Sequence, residues 1–220
     1  MTTRPRSKRP FVLSALPALS CGLAVLFAAQ ARAQTIVTMV EEHWELQIAE
    51  PDAERSAPQT SMVMSPTADS EDVFFMFTLN HHNISATGYE PGGMQVQHWD
   101  SDDLVDDRAA HEHGTLDNAE EVITWVQRIE LNNGQLKFGI HNGASQTWGS
   151  FGGNDLTLST PSTLTGLNAY RPAVSLTESQ VGYAENRVTS LVLKKLVWVT
   201  DDGQVHEQNA PIPIDTSLDP

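Results

Sequence analysis

The sequence predicts an all-β fold, in which antiparallel strands form two sheets packed against each other. Apolar and polar residues alternate with a period of two along several segments, which places one side of each segment in a core. Long stretches with the 3.6-residue period of an amphipathic helix are absent from the sequence. Clusters of Gly, Pro, Asn, Asp and Ser separate the alternating segments and are typical of connections between antiparallel strands.

Three strands are predicted in the first half of the chain. At 44–48, Trp, Leu and Ile alternate with polar residues, which predicts a half-buried strand. Residues 73–79 are apolar on both faces, so this strand should be central and covered on both sides. At 94–98 the alternation predicts a third strand with one buried face. The connection at 65–72 is polar and rich in turn formers.

A hairpin and a long strand are predicted in the second half. Alternating residues at 123–131 and 136–140 flank Asn132-Asn133-Gly134, and Asn-Gly supplies the positive-φ pair of a two-residue hairpin turn. The β-branched run 188–200 should pair with a short return strand at 204–207. The mixed segment 161–183 is expected to contain a short helical turn.

These elements together predict the domain organisation. Many short strands with turns between them imply a two-sheet antiparallel β-sandwich, jelly-roll or concanavalin-like. We expect this domain to span residues 34–208, and residues 209–220, with three prolines, to form an extended C-terminal tail.

Residues 1–33 have the order of a cleaved secretory signal peptide. Four basic side chains precede an apolar run from Phe11 to Ala29, and small residues stand at Ala31 and Ala33. Cleavage after Ala33 is predicted, which makes the protein secreted or periplasmic. The alternative is an uncleaved membrane anchor, because the apolar run approaches the roughly 18 residues that a spanning helix needs.

The predicted mature chain is strongly acidic. The sequence holds 13 Lys and Arg against 28 Asp and Glu, and five of the basic residues but none of the acidic ones lie in residues 1–33. Eight basic and 28 acidic residues remain, a formal charge of −20. Such a surface repels nucleic acid and anionic lipid, so we expect neither as a partner. The single cysteine, Cys21, lies in the signal, so the mature chain has no disulfide.

The segment from His98 to His113 is the first candidate for ligand binding, because it concentrates five Asp, one Glu and three His. Carboxylates at this density are suited to Ca²⁺, and two His separated by one residue are suited to a transition metal such as Zn²⁺. The candidate metal ligands are Asp100, Asp102, Asp106, His111 and His113. The spacing matches neither an EF-hand, which needs Gly where Val105 stands, nor a cupin motif. The alternative interpretation is a solvated charged loop without a metal.

Aromatic residues are the second candidate for ligand binding, because flat Trp and Tyr rings can stack on the faces of sugars. The aromatic residues in or beside predicted loops are Trp99, Trp148, Tyr89 and Tyr170, and we predict that they bind the ligand. A polysaccharide or a cell-surface glycan would be that ligand. Trp44, Trp125 and Trp198 lie on predicted strands and are expected to be in the core.

Catalytic motifs are absent from the sequence. It has no Gly-x-Ser-x-Gly, no phosphate-binding glycine loop and no His-Glu-x-x-His. The adjacent pairs Glu41-Glu42 and Glu120-Glu121 are expected to be solvated, since the two carboxylates of a glycosidase come from separate strands.

Three stretches carry a resemblance to known proteins. They are Glu41-Glu42-His43-Trp44-Glu45-Leu46, the segment GASQTWGSFGG at 143–153, and the segment VGYAENRVTSLVL at 181–193. The chain resembles a group of exported, planctomycete-type bacterial proteins of unknown function that consist of a single β-sandwich domain. The resemblance implies export and an all-β fold. Within these stretches, Trp148 can pack over a glycine backbone, and Arg187 is expected to hold a carboxylate or several carbonyls.

The sequence therefore predicts an exported, non-enzymatic β-sandwich module with carbohydrate as its ligand. A structural or protein-interaction protein without a small ligand is the second interpretation. A glycoside hydrolase with an acidic cleft is the third.

Overall fold

The computed structural model describes residues 35–49, 59–81, 93–110, 116, 118–183, 187–209 and 211–214. Within these residues the protein is a two-sheet antiparallel β-sandwich, which confirms the predicted fold class. The predicted signal peptide at 1–33 lies outside the described residues. No helix in the described part of the chain is long and apolar enough to cross a membrane.

The described strands follow one another with short connections. In chain order they are β1 (Val37–Ile48), β2 (Gln59–Met64), β3 (Val73–His81), β4 (Gly93–Asp100), β5 (Asp103–Ala110), β6 (Val122–Asn132), β7 (Gln135–Ser145), β8 (Gly149–Phe151), β9 (Thr157–Pro161), β10 (Gln180–Tyr183), β11 (Val188–Thr200), β12 (Val205–Gln208) and β13 (Ile212–Pro213). A 3₁₀ helix (Asn154–Leu156) precedes β9, and the helix α1 (Pro172–Glu178) precedes β10.

The larger sheet, sheet A, has the strand order β12-β11-β1-β6-β7-β8, with β13 beside β11 and β9 beside β7. β1 lies between β11 and β6 and is antiparallel to both. Its inward-facing side chains, which are at most 2% exposed, are Val40, Glu42, Trp44, Leu46 and Ile48. The predicted alternation at 44–48 is confirmed. It extends towards the N-terminal end of β1, where the carboxylate of Glu42 is one of the inward-facing groups.

The smaller sheet, sheet B, has the order β10-β2-β3-β4-β5 and packs its inner face against sheet A. Aromatic pairs join the two sheets. The Phe75 and Phe138 rings stack with their centroids 5.0 Å apart, and Phe77 meets Trp125 edge-on at 6.0 Å. Burial of each such ring contributes about 1.5–3 kcal/mol, so these contacts are the main attraction between the layers.

β3 is central in sheet B, as predicted, but one of its faces is more open than predicted. Phe75, Phe77 and Leu79 are fully buried on the inner face. On the outer face Phe74 and Met76 are only half-buried. The expectation that both faces of this strand are covered is therefore wrong at Phe74 and Met76.

The predicted hairpin and the predicted long strand are both confirmed. β6 and β7 are joined by Asn133 and Gly134, with φ of 51° and 72°, the two positive values that a type I′ turn requires. β11 spans the predicted run and pairs with β12. The C-terminal segment forms one further pairing, because β13 adds to β11 where a tail was predicted.

The charged segment after His98 differs from the predicted loop. β4 turns at Ser101 and Asp102 and returns as β5, so Asp100 pairs with Asp103. β5 is the last strand of sheet B among the described residues. A strand at the edge of a sheet tolerates charges on both faces because its side chains reach water. The sequence of β5 therefore lacks the alternation of apolar and polar residues by which interior strands are predicted.

The connection 162–183 links the two sheets. Leu167 N–H donates to the Val37 carbonyl of sheet A at 2.7 Å, and α1 packs beside β2 of sheet B. α1 is the predicted helical turn, and a proline at its first position supports its start.

Arg187 immediately precedes β11 and is a buried cation with 1% exposure. Its Nη1 donates to the Leu116 carbonyl at 2.9 Å, and its Nη2 lies 3.4 Å from the Ala49 carbonyl. These contacts confirm the expectation that Arg187 holds several carbonyls.

Candidate functional site

An open groove lies on the outer face of sheet B, the face turned away from sheet A. We call it the outer-face groove, and it has a volume of about 530 Å³. Its lining residues come from β3, β4 and the turns that flank them, and they are Ser70, Glu71, Phe74, Met76, Trp99, Ser101 and Asp102. Pockets of this size accept small ligands or two to three units of a polymer.

Two parallel rings form the floor of the outer-face groove. Phe74 and Trp99 are cross-strand partners on β3 and β4, and their rings are 1° from parallel with 6.0 Å between centroids. Both side chains are half-buried, so part of each ring remains available to a ligand. Cross-strand pairing holds them in this arrangement because directly opposed side chains on one face are in contact.

The rim of the groove is polar and acidic. Glu71 and Asp102 are exposed, and Ser70 and Ser101 supply hydroxyl groups beside them. The rim is fixed by backbone contacts, since Ser101 N–H donates to the Asp72 carbonyl at 2.5 Å. The groove therefore combines apolar ring surface with groups that can accept hydrogen bonds from hydroxyls.

A second groove, the end groove, opens beyond the same turns at one end of the sandwich, with a volume of about 360 Å³. Asp72 and Asp100 lie on its sheet B side, and Thr160 and Thr163 lie opposite. His98 contributes a buried wall and stacks on Phe75 with 4.9 Å between centroids. Burial lowers the pKa of His98, against the opposing charges of Asp100 and Asp106.

The predicted metal ligands are distributed along a hairpin. Asp100 ends β4, Asp102 lies in the turn, and Asp106 lies on β5 opposite His98. Among the described residues, no three His, Cys, Asp or Glu side chains are grouped so that they could hold a metal ion. His111 and His113 lie outside the described residues. The prediction of Ca²⁺ or Zn²⁺ binding therefore has no geometry to support it in the described part.

Of the predicted ligand-binding aromatics, Trp99 lies in the floor of the outer-face groove, and Tyr170 lines a smaller pocket of about 190 Å³ together with Leu167 and Trp198. Trp148 is 8% exposed and meets Phe151 edge-on at 6.1 Å, so its ring offers little surface on which a sugar could stack, contrary to its predicted role in ligand binding. It is buried because the turn after β7 folds its ring into the sandwich. Tyr170 is half-buried, and its hydroxyl is engaged in a hydrogen bond. Tyr89 lies outside the described residues.

Sequence reasoning missed Phe74 and Met76 as groove residues. The sequence did contain an indication of these residues. A half-buried strand needs only one apolar face, whereas this strand is apolar on both, so its second apolar face was available for another use. We interpreted that second face as core, whereas in the structure it forms part of an open groove. Glu71 gave no signal, because it is one of several acidic residues in a polar loop.

Sequence reasoning also placed two acidic residues wrongly. Glu121 was expected to be solvated, but it has 0% exposure and accepts hydrogen bonds from the N–H and the hydroxyl of Thr147. Glu42 is the second of these residues. It was expected to be solvated, but it is fully buried on the inner face of β1. Four side chains donate hydrogen bonds to its carboxylate. They are Tyr170 Oη (2.6 Å) and Ser175 Oγ (2.5 Å) to Oε1, and Trp44 Nε1 (3.0 Å) and Gln127 Nε2 (3.2 Å) to Oε2.

The Glu42 cluster changes the ionisation of its members. Burial raises the pKa of Glu42, and the four hydrogen bonds oppose this effect. Burial and the neighbouring Glu42 carboxylate raise the pKa of Tyr170 well above 10.0. Because Glu42 has 0% exposure, it does not face a groove. The hydrogen bonds of the cluster connect β1 to the segment 162–183.

A third cluster of ionisable groups lies on the outer face of sheet A. Arg128 Nε donates to Glu41 Oε1 at 2.8 Å, and His43 Nε2 lies 3.3 Å from Glu41 Oε2. The hydrogen bond from His43 and the contacts of Arg128 lower the pKa of Glu41 from 4.5 to about 2, although burial opposes them. Each of the three side chains in this cluster therefore has a partner within the cluster.

Comparison of the sequence with protein-family models and with curated proteins finds no match in either set.

Proposed function

We propose that the chain is an exported, non-catalytic β-sandwich module that binds carbohydrate in the outer-face groove. The observation that carries this proposal is the parallel pair Phe74 and Trp99 on the floor of an open groove with a hydroxyl and carboxylate rim. Sugar rings have apolar C–H faces and hydroxyl edges. Aromatic rings suit the faces, and charged acceptors form strong hydrogen bonds with the edges.

Two further features support the proposal. The order of residues 1–33 predicts export, and glycans are abundant at the surfaces that an exported protein meets. The second feature is the cross-strand pairing of Phe74 with Trp99, which holds the two rings in the groove floor without a ligand.

The experiment is a titration of residues 34–220 with a panel of soluble polysaccharides, followed by intrinsic fluorescence and calorimetry. We expect a saturable change in tryptophan fluorescence with at least one glycan. Trp99→Ala and Phe74→Ala should each weaken that binding about tenfold or more, because each removes a central contact surface.

Trp198→Ala is the matched control, since Trp198 is also a half-buried tryptophan but lies on sheet A, where it stacks on His206. It should leave binding unchanged. Absence of binding to every glycan, or unchanged affinity in both groove variants, would overturn the proposal. Export is tested separately by sequencing the N-terminus of the protein recovered from a bacterial host, where Gln34 is expected.

A further inference from the structure

The charges of the described structure are divided between the two sheets. Sheet B and its turns carry one cation, Arg108, among the described residues, and Arg108 Nη1 donates to the Asn154 carbonyl. The same strands and turns carry eight carboxylates, which are Asp69, Glu71, Asp72, Asp100, Asp102, Asp103, Asp106 and Asp107. The strands of sheet A carry four described cations, which are Arg128, Lys137, Lys194 and Lys195. They also carry five carboxylates, which are Glu41, Glu42, Glu45, Glu130 and Glu207, so the charges of sheet A nearly balance whereas sheet B is strongly acidic.

The outer-face groove lies on the acidic side of this division. Glu71 and Asp102 line it, and Asp72 and Asp100 line the end groove next to it. Among the described residues that line the two grooves there is no Lys or Arg. A ligand on the Phe74 and Trp99 rings is therefore surrounded by negative charge.

Carboxylates alone would be an ordinary solvated surface, but here they surround an aromatic floor. A neutral sugar gains hydrogen bonds from such a rim, whereas a uronic or sulfated sugar is repelled by it. A sugar with a free amine gains an ion pair with the rim, and its ammonium group is also attracted to the face of an indole ring.

We propose that the outer-face groove is selective for sugar chains that carry free amines over neutral and acidic glycans. This inference rests on the proposed function and specifies its ligand class. Ring stacking on Phe74 and Trp99 supplies the sugar contact, and Glu71 and Asp102 supply the charge selection.

The test compares three oligosaccharides of equal length by calorimetry: glucosamine, N-acetylglucosamine and galacturonate oligomers. Titrations are made at a mildly acidic pH that keeps the amines protonated, at low and at high salt. We expect glucosamine oligomers to bind about tenfold more tightly than the acetylated oligomers at low salt, the size that two solvent-exposed ion pairs provide. Galacturonate should not bind, and added salt should reduce the preference.

The double variant Glu71→Gln with Asp102→Asn should abolish the preference for the amine while keeping the binding that depends on Trp99. The matched control is Glu45→Gln with Glu130→Gln, because it removes the same charge from strands of sheet A. The control should keep the preference, which shows that local contacts and not the overall charge select the ligand. Circular dichroism confirms that each variant folds.

Each remaining outcome overturns a defined claim. Equal binding of aminated and acetylated oligomers, with loss of both in Trp99→Ala, overturns the charge selection and leaves the proposed function intact. Binding of glucosamine oligomers that persists in Trp99→Ala and Phe74→Ala shows attraction to the acidic surface alone and overturns both claims. Absence of binding to all three also overturns the charge selection, and the polysaccharide panel then decides the proposed function.

Discussion

Glu42 on β1 and Gln127 on β6 face each other on the inner side of sheet A, and Gln127 Nε2 donates to Glu42 Oε2 at 3.2 Å. The indole N–H of Trp44, which donates to the same oxygen, can only donate. The partners of Oε1 are hydroxyls, which can turn and accept a hydrogen bond. When Glu42 is protonated, we therefore expect the proton on Oε1, where it can be donated to the hydroxyl of Tyr170 or Ser175.

This arrangement predicts a pH dependence of stability that Glu42→Gln removes. Because burial raises the pKa of Glu42 above 4.5, its contribution to stability is fully present below pH 4.5 and is lost as the pH rises through the folded-state pKa. Glutamine cannot ionise, and its amide nitrogen can occupy the Oε1 side and donate to the two hydroxyls. We expect the free energy of unfolding of Glu42→Gln, relative to the natural chain, to increase as the pH rises above 4.5, measured by urea titrations at a series of pH values.

The control for this prediction is Glu45→Gln, because Glu45 forms a partly exposed ion pair with Lys194 at 3.1 Å. The difference in the free energy of unfolding between Glu45→Gln and the natural chain should change little with pH. Parallel pH profiles for Glu42→Gln and the natural chain would contradict the prediction.

Tyr170→Phe should destabilise the protein by about 1–3 kcal/mol, since it leaves a buried carboxyl group with one donor fewer. Equilibrium unfolding in urea measures the loss. A double-mutant cycle with Glu42→Gln should give a coupling energy of about 1 kcal/mol, because the two side chains are in direct contact. Strict additivity of the two changes would show that the Tyr170 hydroxyl stabilises a carboxyl group at position 42 no better than it stabilises an amide.

Arg128→Met should destabilise the protein at neutral pH and much less in acid. The hydrogen bond from His43 and the contacts of Arg128 lower the pKa of Glu41 to about 2, so this stabilisation is present above pH 4.5 and is lost as the pH falls towards 2. We expect a cost of about 1–3 kcal/mol at neutral pH, the range for hydrogen bonds to charged groups. Thermal unfolding across the acid range measures it, and an NMR titration of Glu41 should show a raised pKa in the variant. An unchanged pKa of Glu41 would refute the prediction.

Gly134→Ala should cost about 1–2 kcal/mol, because Gly134 has a φ of 72°, where a Cβ approaches the following carbonyl oxygen. Space is not the cause, since the nearest atom to an added Cβ is the Ser162 carbonyl oxygen at 3.7 Å. Gln135→Ala, an exposed neighbour at the start of β7, is the control and should have little effect. Equal melting temperatures for the two variants would contradict a turn that depends on glycine.

The sequence predicted those elements whose signals are local. The Asn133-Gly134 pair and the alternation on either side determine a hairpin within 20 residues, and the β-branched run of β11 has its own clear limits. The position of Glu42 could not be predicted in this way. Its donors Gln127, Tyr170 and Ser175 lie 85, 128 and 133 residues away along the chain. An acidic residue beside Glu41 in sequence gives no indication that such partners will surround it.

The candidate site was predicted only in part for a related reason. Trp99 stood out because tryptophan is a rare residue beside a turn. Its partner Phe74 lies on the preceding strand and was assigned to the core, because sequence alone does not show which face of a sheet remains open. The same limitation applies to β5, where charge density indicated a loop although the chain is extended and paired.

The acidic edge strand β5 also affects how copies of this protein behave towards one another. Among the described residues β5 is the outermost strand of sheet B, so a molecule that approached this edge would meet Asp103, Asp106 and Asp107, and a second copy carries the same residues there. Neighbouring molecules should therefore stay apart in dilute salt, where the repulsion reaches well beyond contact. In 0.1 M salt that reach falls to about 10 Å. The ionic strength of the medium should thus affect how concentrated this protein can become before it self-associates.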